Sequence, residues 1–129
     1  MPDSERVVLC VEDEVFVRMF VADALVDAGF RVLEAGCAAE ALSILQTRDD
    51  VQALVTDVDM PPGMNGFALA RSVSERWSNI PIIVLSGRFS PSPGDLPKGS
   101  VFLDKPVSEA KLVGVVTRAV EGSERPLMN

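Results

Sequence analysis

The succession of elements in these 129 residues is that of a doubly wound α/β domain, a parallel sheet with helices on both faces. Three observations carry that expectation. Short apolar runs rich in Val, Ile and Leu recur along the chain, the pattern of strands covered on both faces. Stretches of helical periodicity alternate with them. Polar residues, several of them acidic, stand where the apolar runs stop. Crossovers between parallel strands are right-handed, and the compact five-stranded winding has the strand order 2-1-3-4-5.

Arg6 to Val11 is short, β-branched and almost continuously apolar, and is read as the first buried strand. From Val15 to Ala28 the pattern is helical, with Arg18, Asp23 and Asp27 as the few polar positions and Gly29 as the stop. This helix carries an apolar surplus, with Phe16, Val17, Phe20, Val21 and Ala24 in addition to the residues expected to face the sheet. A second strand follows near Arg31 to Ala35. Ala38 to Thr47 then places Ala41, Leu42 and Leu45 on one helical face, and Ala53 to Thr56 is the third strand.

Met60 to Gly66, MPPGMNG, is a loop on its two prolines and two glycines, and Asn65 caps a helix with Phe67, Ala70, Val73 and Trp77 on its apolar face. Ile82 to Leu85 is the most strand-like run. Residues 88–100 hold Pro91, Pro93, Pro97, Gly94 and Gly99, which a regular helix of several turns cannot accommodate, so the fourth helix of the winding is expected to be shortened or missing. Val101 to Leu103 resumes a strand, and Ser108 caps a last amphipathic helix to about Glu121. The expected organisation is one domain over residues 1–122 with a flexible tail at 123–129.

Composition narrows the chemistry. A content of 47% hydrophobic and 24% charged residues suits a single globular core. With 19 acidic against 12 basic residues the net charge is -7, which disfavours direct binding to nucleic acid or to an anionic membrane surface. The absence of histidine removes Ser-His-Asp triads, His-rich zinc sites and any phosphohistidine carried by this chain. Cys10 and Cys37 lack CxxC spacing and read as small buried thiols in a reduced, cytoplasmic protein. The N-terminus has no apolar signal region, and no apolar run is long enough to span a bilayer.

LCVEDE, Leu9 to Glu14, ends a strand-like run in three consecutive carboxylates, whose mutual repulsion calls for a compensating cation. In the expected topology the functional crevice lies beyond the carboxyl ends of the strands, where the winding reverses between the first and third. Glu12 and Asp13 follow the first strand, Asp57 the third, Ser86 the fourth and Lys105 the fifth, so all five converge on one edge. Glu12, Asp13 and Asp57 there form an oxygen site for a hard divalent ion such as Mg²⁺. Acids before a helix N-terminus also occur without a metal, but the matching positions of Asp57 and Lys105 favour the metal site. Carboxylates, a hydroxyl and a lysine around Mg²⁺ suit phosphoryl transfer, with Asp57 as the oxygen nucleophile.

These residues resemble the receiver domain of two-component response regulators, in particular the stand-alone kind typified by the bacterial chemotaxis regulator. The matching pieces are VEDE at 11–14, TDVDMP at 56–61, Gly66, LSG at 85–87 and LDKP at 103–106, and they span nearly the whole chain. The resemblance implies a flavodoxin-like fold and a phosphoprotein whose Asp57 accepts a phosphoryl group from a phosphohistidine. The donor would be a sensor histidine kinase or phosphotransfer protein. It implies Mg²⁺, or Mn²⁺ in its place, ligated by Asp13 and Asp57, by Glu12 through water and by the main-chain carbonyl of Asp59. Lys105 and Ser86 would contact phosphoryl oxygens, the Lys105–Pro106 peptide would be cis, and Phe102 would turn inward with Ser86 as a switch. Phe16 and Phe20 would belong to a kinase-docking surface.

Two departures stand out: MPPGMNG is one residue longer than the usual loop, and the Pro-rich interval alters a face on which relatives dimerise or bind targets. The chain stops shortly after its last helix, so no output domain is expected, only an unknown downstream protein and a monomer or weak dimer. A degenerate receiver acting as a binding module is an alternative. A haloacid-dehalogenase-type phosphohydrolase fits less well, because its DxD follows the first strand whereas DVD at 57–59 follows the third. A flavodoxin-like cofactor binder would need a phosphate cradle where Glu12, Asp13 and Glu14 repel anions.

Overall fold

The computed structural model of the protein describes residues 6–59, 65–87, 91–92 and 94–124. Its elements are β1 (Val7–Val11), α1 (Val15–Asp27), β2 (Arg31–Ala35), α2 (Ala38–Thr47), β3 (Val51–Asp57), α3 (Gly66–Arg76), β4 (Ile82–Ser86), β5 (Val101–Asp104) and α4 (Glu109–Glu124). All strand pairs are parallel, in the order β2-β1-β3-β4-β5. This is the doubly wound, flavodoxin-like sheet that the sequence predicts.

Strand alternation divides the core into two layers. Val7, Leu9, Val11, Leu54, Ile82 and Val84 pack with Ala41 and Leu45 of α2 and Leu69 and Val73 of α3. Val8, Cys10, Ala53, Val55, Ile83 and Leu85 pack on the other face with Leu25 of α1 and Leu112 and Val116 of α4. Each fully buried Leu or Val contributes about 2 kcal/mol relative to exposure. β1 and β4 are buried at every position, which is why they read as unbroken apolar runs.

β3 begins earlier than the sequence suggests, at Val51 rather than Ala53. Val7 pairs with Val51 and Val8 with Ala53, so Gln52 is an extra residue in a bulge. The bulge resets the alternation and lets Val51 and Leu54, which a regular strand would turn to opposite faces, join the same core layer. α4 likewise runs past Glu121 to Glu124, taking in two residues expected in the tail; residues 125–129 lie outside the described residues.

Capping follows the sequence at two helices. The Asn65 side chain accepts from the Ala68 N–H at 2.9 Å, and Ser108 Oγ accepts from the Lys111 N–H at 3.1 Å. Between β4 and β5 no helix occurs among the described residues. A turn stands there instead: the Asp95 carboxylate accepts from the Ser92 N–H at 2.6 Å and Ser92 O from the Asp95 N–H at 2.9 Å. Gly94 and Gly99 take φ of +91° and +89°, which a side chain would strain. Leu96 packs on the same core layer as Phe102, and Arg71 donates to the Asp95 carbonyl at 3.2 Å, tying the crossover to α3. The expected lengthening of MPPGMNG falls largely on residues 60–64, outside the described residues, as do residues 88–90 and 93 of the crossover. No described helix is long and apolar enough to cross a membrane.

Cys10 is buried in β1, and that burial, reinforced by the charges of Glu12 and Glu34, pushes its thiol up to about 12, whereas Cys37 is only half-buried. Thiolate is the reactive form. Iodoacetamide at pH 8 is therefore expected to alkylate Cys37 in the native protein and Cys10 only at the rate of unfolding, as peptide mass mapping would read; equal rates would contradict this packing.

Candidate functional site

The parallel register brings four strand ends together. β1 and β3 are neighbours, Asp57 stands opposite Leu85 and Ser86 opposite Asp104, so the residues that follow β1 and β5 flank the end of β3. Glu12, Asp57 and Ser86 are 2%, 5% and 3% exposed, a depth at which charges need partners. Lys105 Nζ supplies one, donating to Asp57 Oδ1 at 2.8 Å and to Glu12 Oε1 at 3.0 Å. The second Glu12 oxygen, Oε2, accepts from the Glu14 N–H at 3.1 Å.

The main chain of Glu12 is held as firmly as its carboxylate. Its N–H donates to Ala35 O at 3.0 Å, and its carbonyl accepts from Arg18 Nη1 at 2.7 Å. Around this point Glu12, Asp13 and Asp57 each offer an oxygen, all within 4.8 Å of one another. Three carboxylate oxygens converging in this way, without nitrogen or sulfur, fit a hard divalent cation of the Mg²⁺ type. The mouth is a hollow of about 340 Å³ lined also by Glu14, Val17, Asp59, Ser86, Gly87 and Lys105.

The electrostatics are those of a partly dry carboxylate cluster. Burial raises the Glu12 carboxyl above its ordinary value, and the Asp57 charge adds to this, while the Glu14 N–H and Lys105 pull the other way. Desolvation works to lower the Lys105 ammonium, but its hydrogen bonds to Asp57 and Glu12 prevail and hold it above its ordinary value.

Gly66 fixes the backbone beneath the site. A Cβ there would collide with the Asp57 carbonyl oxygen and the Val58 backbone, so the first turn of α3 can lie this close to β3 only as glycine. The Gly66 N–H donates to Val58 O at 2.9 Å, and the Val58 N–H to Leu85 O at 3.1 Å. These bonds carry β3 past Asp57 in a single path.

The remaining residues singled out from the sequence fall in two places. Asp59 lines the mouth, and the Lys105–Pro106 peptide is cis. Phe102, opposite Val84 in the sheet, is half-buried against the α2/α3 layer, and alternation puts the Ser86 side chain on that same face. Phe16 and Phe20 are outside the carboxylate cluster, 81% and 46% exposed on α1. They border an apolar hollow of about 510 Å³ that reaches Leu85, Pro106 and Val107 and shares Lys105 with the site. Sequence reasoning treats Arg18 only as a polar position on its helix. The available signal is that it is the sole cation in an otherwise apolar and acidic α1.

Comparison with known proteins gives one family. The model of the response regulator receiver domain matches residues 8–117. The chain is 30% identical over 122 residues to the putative response regulator NtrX-like of Rickettsia conorii, covering 92% of this chain and 26% of that protein. It is 37% identical over 120 residues to the sensor kinase CckA of Brucella abortus, covering 88% of this chain and 12% of that one. The chain thus spans about a quarter or less of the length of these curated relatives. A crystal structure of a response regulator receiver protein from Sinorhizobium medicae superposes with a TM-score of 0.82 at 26% identity, covering 94% of this chain and 98% of that one.

A carboxyl whose folded pKa is raised contributes stability at low pH that is lost as pH rises through the folded value. Glu12→Gln removes the charge and its desolvation and keeps one acceptor oxygen, so one of the two bonds from the Glu14 N–H and Lys105 is lost. In metal-free buffer it is expected to raise the melting temperature at pH 7, with the gain vanishing below the ordinary value of 4.5, where Glu12 takes up its proton. Melting curves at the two pH values check this; a loss of stability at pH 7 would show that the ion pair outweighs desolvation.

Proposed function

The chain belongs to the response regulator receiver domain family, and from that premise we propose that it is a cytoplasmic phosphoacceptor module of a two-component system. Its Asp57 takes a phosphoryl group from the phosphohistidine of a sensor histidine kinase or phosphotransfer protein. The observation that carries this reading is the meeting of Lys105 with both Asp57 and Glu12 at 2.8 and 3.0 Å, beside the third carboxylate of Asp13.

Asp57 carries the nucleophile: a carboxylate oxygen forms the bond to phosphorus as the phosphorus–nitrogen bond breaks, the bonding pair stays on that nitrogen, and the proton already on the other ring nitrogen lets the imidazole leave neutral. The chain's lack of histidine suits an acceptor that relies on a partner's imidazole. Asp13 and Asp57, Glu12 through water and the Asp59 main-chain carbonyl would hold Mg²⁺, or Mn²⁺ in its place, which when bound neutralises charge on the phosphoryl oxygens. Lys105 exchanges a carboxylate partner for a phosphoryl oxygen, and the Ser86 hydroxyl donates to another. Ser86 drawn toward the phosphoryl group opens space on the sheet face it shares with Phe102, and the ring follows. Signalling then proceeds through phosphorylation-dependent protein contacts or a relay, the domain modifying itself rather than turning over an external substrate.

The outer face of α1 meets the phosphodonor. Phe16, Met19, Phe20 and Val26 are exposed at helical spacing, and the exposed Glu14, Asp23 and Asp27 rim them with negative charge. Two copies of this helix would bring acid against acid, so the surface suits an apolar partner helix flanked by Lys and Arg.

Incubation with Mg²⁺ and acetyl phosphate is expected to give one phosphoryl adduct by intact mass, absent without the metal and absent in Asp57→Asn; an adduct that persists in the variant would move the acceptor elsewhere. Phe16→Asp with Phe20→Ser is expected to slow phosphorylation by the kinase thirtyfold or more, the effect of losing central apolar contacts worth about 2 kcal/mol. The rate with acetyl phosphate should not change; an equal loss with both donors would place the defect in the site.

A further inference from the structure

The acidic loop that bears Glu12 and Asp13 is held by a residue outside it. Arg18, in the second turn of α1, donates through Nη1 to the Glu12 carbonyl at 2.7 Å and through Nε to Glu34 Oε1, at the end of β2, at 3.1 Å. Its side chain is 21% exposed. The guanidinium also closes over Gly36, where an added Cβ would stand 3.4 Å from Nη1. One planar fork therefore links α1, the end of β1 and the end of β2. With the Glu12 N–H on Ala35 O, both main-chain polar groups of Glu12 are fixed from the β2 side. Its two carboxylate oxygens are fixed separately, by Lys105 and the Glu14 N–H.

We infer that Arg18 is a positioning residue for the divalent-cation site, acting through the Glu12 main chain rather than on the ion. This rests on the receiver reading of the carboxylates. An exposed Arg–Glu pair alone is worth little, but the bond to the Glu12 carbonyl is charge-assisted and partly buried, and the rigid fork fixes a direction that a lysine ammonium cannot. Holding the carbonyl sets the rotation of the Glu12–Asp13 peptide, and with it the aim of both carboxylates.

The sign of the effect separates positioning from simple charge. Arg18 is a cation close to a cation site, so if its charge were all that mattered, neutralising it would tighten metal binding. Positioning demands the reverse.

The experiment is calorimetric titration of Mn²⁺ into wild type, Arg18→Gln and Arg18→Lys, together with amide hydrogen exchange on the metal-free proteins. Arg18→Gln is expected to bind Mn²⁺ about tenfold more weakly, the scale of losing a residue that orients a metal ligand. Arg18→Lys, able to reach one acceptor at a time, should fall between and carries the test if Arg18→Gln does not fold. The Glu14 amide, which donates to Glu12 Oε2, should exchange faster in Arg18→Gln while the amides of β3 and β4 keep their protection. Equal or tighter Mn²⁺ binding, or unchanged exchange at Glu14, overturns the inference. If wild type itself binds no Mn²⁺, the metal reading of the site falls, and the Glu14 exchange rate still decides whether Arg18 holds the loop.

Discussion

The ammonium of Lys105 set between Glu12 and Asp57 is the interaction on which the rest of the architecture turns. Two carboxylates almost out of water repel each other and lose hydration, and either alone would be costly at that depth. A single cation reaching both, with the Glu14 N–H satisfying a further oxygen, offsets that cost and lets the two carboxylates share one buried corner. The arrangement requires β1, β3 and β5 to end at one level. A shift of any of them by one rung, about 3.3 Å, would part the groups.

Everything beneath the cluster serves that alignment. The fully buried central strands leave the sheet no freedom to slide, since a register slip would turn apolar side chains out of both layers. The bulge at Gln52 lets the amino end of β3 fill the core while its carboxyl end delivers Asp57. The pairing of Lys105 N–H with Ser86 O at 2.9 Å carries β5 one residue past its last rung, which aims the lysine back at the carboxylates. Among the described residues of the crossover between β4 and β5, a turn and Leu96 pack on the core layer that holds Phe102.

The sequence was informative where structure depends on local pattern. Parallel strands covered on both faces leave continuous apolar runs, and the charged residues ending them could be assigned to one edge once the winding was known. Asn65 and Ser108 announced their helices, and proline density spoke against a regular helix of several turns between β4 and β5. The signals that were missed arise from contacts between distant segments. Gln52 interrupts an apolar run, so the first residues of β3 did not look like strand. Gly66 stands out in the sequence only through the resemblance, and the physical reason for it shows once the Asp57 carbonyl is placed beside it. Arg18 reads as a polar position because its acceptors belong to other elements. The exposure of Phe16 and Phe20 was legible as a surplus of apolar residues on α1 beyond those needed to face the sheet.

The counter-charge and the acid it neutralises lie 93 residues apart in the chain. During synthesis the acidic loop leaves the ribosome long before the strand that precedes Lys105, and loop closure over that distance must await the final elements. A nascent chain therefore carries Glu12, Asp13 and later Asp57 without the ammonium that lets them sit together in a dry pocket. The cluster is therefore complete only once β5 has been made, and a chain that stops short of it lacks the site altogether.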